Sequence, residues 1–108
     1  MRVQIAARHC DIPDSLRARA ERLVARLAKY DRRMSTADVV FEEEKLVRRV
    51  EVILSVHGGE PVFARAEDAE FRAALDKVVE RLGRKLRRQR SRQTDHQAPP
   101  LSDGVLAD

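Results

Sequence analysis

The 108-residue sequence has no tryptophan, one tyrosine and one cysteine, and each scarcity excludes something. With Cys10 alone, no disulfide can close within the chain, and a single thiol fits a reducing compartment. No apolar run approaches the roughly 20 residues of a membrane span. The first residues read as a strand and not as a signal peptide, so the expected location is the cytoplasm, without a membrane partner. Aromatic residues make up 4% and hydrophobic residues 43%, against 37% charged. That is enough for one packed core in one domain, under a surface dense in charge.

Acidic residues are scarce in one stretch above all. Between Arg72 and Arg92 there are nine Lys or Arg against only Asp76 and Glu80. The formal net charge is +4 and the pI near 9.8, values that favour an anionic partner. Thr94 to Asp108 holds Asp95, Asp103 and Asp108 and no cation, so the basic surface belongs to residues 1–93. Beyond Gln93 the periodicity is lost around Pro99-Pro100, and 94–108 reads as a flexible acidic tail.

Hydrophobic spacing orders the elements. Val3, Ile5 and Ala7 alternate with polar residues across Arg2 to Arg8, the period of a strand with one buried face. Asp11 to Ser15 can cap a helix whose apolar positions are Leu16, Ala20, Leu23, Leu27 and Tyr30 and which extends to about Lys29. Ala37, Val39 and Phe41 mark strand two, and Glu42 to Lys45 reads as a solvated turn. Strand three is carried by Val50, Val52, Leu54 and Val56, and strand four by Val62 to Ala66. Gly58-Gly59 supplies the turn between them. From Asp68 to about Arg92 the period returns to 3.6, with Phe71, Leu75, Val78, Leu82 and Leu86 as one stripe. Glu67, Asp68 and Glu70 would then complement the helix dipole at its start. The expected fold is α+β: a β-α-β-β-β-α two-layer sandwich, a four-stranded sheet with both helices on one face.

No pattern for catalysis or cofactor binding survives inspection. His9, His57 and His96 have no ligand-spaced partners, so no metal site is expected. Cys10 has no neighbouring base and reads as a small buried hydrophobe. Gly58-Gly59 joins two strands instead of feeding a helix, which excludes a phosphate loop. The expectation is a binding protein that is not an enzyme, with no cofactor.

The helix faces carry the functional signal. At 100° per residue Lys77, Arg81, Arg84 and Arg88 share a face beside the apolar stripe, flanked by Lys85 and Arg92. On the first helix Arg19, Arg22, Arg26 and Lys29 gather likewise. Arginine outnumbers lysine 18 to 4, and its planar fork suits phosphate contacts and stacking on unpaired bases. Nucleic acid, RNA before DNA, is the expected partner, read through backbone and shape.

Specific residues also resemble the short form of the ribosome hibernation promoting factors, over about Met1 to Arg92. They are Arg8-His9, Leu16-Arg17, the Leu27 to Tyr30 helix end, Val39-Val40, Glu44-Lys45, Gly58-Gly59-Glu60 and Ala66-Glu67-Asp68. Ala73-Ala74-Leu75-Asp76, followed by Leu82, Arg84 and Leu86, is the most specific set. The resemblance implies a bacterial stationary-phase or stress factor that occupies the messenger and transfer RNA channel of the small ribosomal subunit, at the A and P sites, and so inhibits translation. Its implied partners are that subunit and its ribosomal RNA, with a separate ribosome modulation factor as a further candidate. Off the ribosome the chain is expected to be a monomer.

Carried over by position, the RNA-binding residues are Arg26, Lys29, Lys45, Arg81, Arg84, Lys85, Arg88 and Arg90. Lys77 and Arg92 join from the helical wheel and Arg22 from the first-helix face. The chain departs from the family at Arg72, where tyrosine is common, and at Gly83, which costs a helix about 1 kcal/mol relative to alanine. The tail does not distinguish ribosome dimers from inactive monomers. Two other readings share these features: a general double-stranded RNA-binding module, and a regulator of transcription whose basic ridge meets an acidic protein.

Overall fold

A computed structural model describes residues 1–97, with side chains through residue 90. The alternating stretches form β1 (Arg2–Arg8), β2 (Met34–Glu44), β3 (Val47–Val56) and β4 (Val62–Asp68). The helical stretches form α1 (Asp14–Ala25) and α2 (Phe71–Gln97). The first helix does not stay α-helical to Lys29, because its last turn tightens into a 3₁₀ segment, Arg26–Tyr30.

The strands lie in the order β1-β2-β3-β4. β1 runs parallel to β2, which α1 permits by serving as the crossover, and β2, β3 and β4 are antiparallel neighbours. Both helices cover one face, α1 against β1 and α2 against β3 and β4. The core between the layers is aliphatic apart from Phe41: Val39, Val50, Val52 and Leu54 from the sheet meet Val24, Leu75, Val78 and Leu82 from the helices, all at most 1% exposed. No polar side chain is buried among the described residues.

Three boundaries differ from the sequence expectation. β2 runs through Glu44, because Glu42 and Glu43 face Arg49 and Arg48 across the ladder, and opposite charges in register support strand pairing. The turn shrinks to Lys45-Leu46, with Lys45 at φ 58, since two-residue hairpins demand a positive φ. Glu67 and Asp68 belong to β4, and α2 has no acidic residue in its first turn. Just ahead of that turn Asp68 still accepts from the Glu70 amide at 3.3 Å, while Arg48 donates to the Ala69 carbonyl at 2.8 Å and lies 5.6 Å from the Phe71 ring centre. Phe71 in turn meets Phe41 edge-to-face at 5.4 Å. At the other end α2 continues to Gln97, past Arg92. The expected acidic tail starts within that helix, and residues 98–108 lie outside the described residues.

Candidate nucleic-acid interface

The two faces of the molecule differ in how their charges are met. On the sheet face away from the helices, the register aligns Arg8, Glu42, Arg49 and Glu67 in one row of alternating sign. Arg49 bonds Glu67 at 2.8 Å and Glu42 at 3.4 Å, and Arg65 lies 3.9 Å from Glu51. This face largely neutralises itself. Among the described residues, most of the cations without a carboxylate partner lie on the helices.

The basic ridge of α2 is seated on the free edge of β4. Lys77 pairs with Asp68 at 2.7 Å, Arg81 donates to the Arg65 carbonyl, and Lys85 donates to the Phe63 carbonyl. Four helical residues rise about 6 Å and two strand residues about 6.6 Å, so successive helical turns stay in step with alternate carbonyls of the antiparallel strand. Backbone carbonyls orient Arg81 and Lys85 without cancelling their charge. Among the described residues no carboxylate lies within ion-pair range of Arg81, Lys85 or Arg88, whereas Arg84 is bridged to Glu80 at 3.1 Å. Arg81, Arg84, Lys85 and Arg88 line a groove of about 460 Å³ beside β4, whose Phe63, Ala64 and Arg65 complete the lining.

The cations of α1 face the opposite flank of α2. Arg19 forks onto Asp76 at 3.0 Å and ties the two helices together. Toward the start of α1, Arg19 and Arg22 line a cleft of about 350 Å³ with Arg72. Toward its end, Arg26 and Lys29 line a second of about 240 Å³ with Tyr30, Gly83 and Arg87. Arg87 donates to the Tyr30 hydroxyl at 3.3 Å, and Lys29 lies 5.1 Å from the ring centre. The Arg87 hydrogen bond, ahead of the Lys29 charge, lowers the Tyr30 hydroxyl below its ordinary pKa.

Of the residues expected at the interface, the structure therefore gathers two sets, one on each flank of α2. Arg81, Arg84, Lys85 and Arg88 form one, and Arg22, Arg26 and Lys29 the other. Lys77 lies at the β4 edge but is paired. Lys45 is exposed at the β2–β3 hairpin tip, at the end of the sheet where α2 begins and distant from Arg88. Arg90 is exposed on α2, and the side chain of Arg92 lies outside those described. Arg72 and Arg87 line the clefts beside α1 and were not in the set expected from the sequence. They sit on the other flank of α2, and a helix held between an edge strand and a second helix has two flanks to offer. Cys10, expected to be buried, is half-buried and donates to the Phe41 carbonyl at 3.5 Å; desolvation and then the Glu43 charge push its thiol up.

Comparison with known proteins agrees with this architecture. The family model described as sigma 54 modulation protein / S30EA ribosomal protein matches residues 3–94. The chain is 33% identical over 97 residues to the ribosome hibernation promoting factor of Azotobacter vinelandii, covering 90% of each chain. It is 30% identical to the Salmonella typhimurium protein of the same name, covering 89% of this chain and all of that one. The crystal structure of the Thermus thermophilus Protein Y N-terminal domain superposes with a TM-score of 0.74 at 31% identity, covering 82% of this chain and 99% of that one.

Proposed function

Because the chain belongs to the sigma 54 modulation protein / S30EA ribosomal protein family, we propose that it is a ribosome hibernation factor acting on the small subunit. In this reading it lies in the messenger and transfer RNA channel, across the A and P sites, and holds translation off in stationary phase or stress. It acts by occupancy in the cytoplasm and transforms nothing chemically. The observation that carries the reading is the contrast between faces: a sheet surface whose charges cancel in rows, and a helical layer with unneutralised arginine and lysine on both flanks of α2.

Such an array suits ribosomal RNA for a physical reason. Each cation that meets a phosphate releases a condensed counterion, so affinity accumulates over several contacts and falls steeply with salt. Arginine adds a planar fork that grips phosphate oxygens in pairs. The carbonyl-anchored Arg81 and Lys85 are already oriented, which reduces the ordering cost on binding.

Sedimentation of the purified chain with 30S subunits through sucrose tests the reading. The chain is expected in the 30S fraction at low salt, released as salt rises, and displaced by messenger and initiator transfer RNA together. Equal retention by arbitrary duplex RNA, or recovery with an acidic protein after nuclease treatment, would overturn it.

A further inference from the structure

The cleft between the 3₁₀ segment and α2 combines three features that the ridge does not. Its floor is apolar, formed by Leu23, Leu27 and Val79. Its rim carries Arg26, Lys29 and Arg87, with the Tyr30 hydroxyl among them. Glu80 also reaches the rim, but its carboxylate is engaged by Arg84 at 3.1 Å.

The third feature is Gly83. It is buried in the middle of α2, where glycine is unfavourable, and crowding does not require it. A Cβ built there meets only the Arg87 Nη1 atom, at 3.7 Å, an ordinary van der Waals distance. The missing side chain therefore leaves space in the cleft instead of relieving a clash. Fusing an apolar floor with a cationic rim suits a ligand with one flat apolar part and one anionic part, and about 240 Å³ is the scale of a single nucleotide and not of a helix or duplex.

We infer that this cleft takes one unpaired nucleotide, its base on the floor of Leu23, Leu27 and Val79 in the space left by Gly83 and its phosphate against Arg26, Lys29 and Arg87. Tyr30 bounds the site and offers its hydroxyl as a further polar partner. The inference builds on the ribosome-binding reading for the source of that nucleotide, an RNA strand, while a free mononucleotide presents the same chemistry.

The single tyrosine gives one set of ring signals, so a carbon–proton NMR correlation of Tyr30 reports on the cleft alone. The whole chain is titrated separately with single-stranded hexauridylate, with uridine monophosphate and with inorganic phosphate. A saturable shift of the Tyr30 ring is expected with hexauridylate, at lower concentration than with inorganic phosphate. An equal response to uridine monophosphate identifies a free nucleotide as sufficient, and a response to hexauridylate alone identifies the strand; both support the site. Gly83→Leu fills the floor and is expected to weaken the response at least tenfold. Arg87→Gln, on the exposed rim, is expected to weaken it by about tenfold or more, the usual size of a charge-assisted bond, and stands as the test if the leucine variant fails to fold. No ring shift with either nucleotide, inorganic phosphate matching both, or wild-type titrations from the substituted chains would overturn the inference. Sedimentation of the unsubstituted chain with 30S subunits is read alongside, so failure of the cleft and failure of ribosome binding are separate outcomes.

Discussion

Arg19 on α1 grips Asp76 on α2 through both carboxylate oxygens, at 3.0 and 3.2 Å from Nη2. Among the described residues this is the one ion pair between the two helices, and it lies at the surface. Asp76→Asn is therefore expected to cost only about 0.2–1 kcal/mol in chemical denaturation. The same change removes a negative charge from the interface, so affinity for 30S subunits should rise, measured by sedimentation at fixed salt.

Replacing Arg81, Arg84 and Arg88 by Glu reverses the groove beside β4 without entering the core, since all three are exposed. Ribosome co-sedimentation should be lost while the far-ultraviolet circular dichroism stays close to that of the parent chain. Retained co-sedimentation would remove the groove from the interface.

Leu82 is fully buried between α2 and the sheet. Leu82→Ala should cost about 2–5 kcal/mol, read as a lower denaturant midpoint with a similar slope.

Gly83→Ala should stabilise the chain by about 0.5–1 kcal/mol, because alanine is the better helix former and the added methyl has room. A lower midpoint would mean that the cleft wall cannot accept even a methyl group.

Asp68 accepts from Lys77 first and from the Glu70 amide next, and both depress its pKa below the ordinary 3.8. A carboxylate depressed in the folded state contributes stability that is complete above the unfolded value and disappears as pH falls through the folded one. The melting temperature should therefore drop below about pH 3.8, and Asp68→Asn should flatten that drop. Identical acid profiles for the two chains would show that the Lys77 pair adds nothing.

The elements were legible where one face is buried. Val50, Val52 and Leu54 alternate with exposed or half-exposed neighbours, and the buried residues of β3 follow the same period. Glu42 to Glu44 misled for a physical reason: three successive acids look solvated until their partners are known, and Arg48 and Arg49 become partners only through the register. The basic ridge was legible because spacing alone sets the angle between Arg81 and Leu82. Which neighbour each flank meets was not, since a wheel carries no information about a strand edge or a second helix. Arg87 could be recognised only once Tyr30 had been brought beside it.

The grip of Arg81 and Lys85 on the β4 carbonyls has a consequence for self-association. β4 is an outermost strand, and free edges recruit strands from other molecules. Here the outward carbonyls of Arg65 and Phe63 are engaged and the edge carries positive charge, both of which disfavour strand pairing with a second copy. Replacing Arg81 and Lys85 together by Ala opens that edge, and light scattering is expected to show self-association while the circular dichroism keeps its folded form.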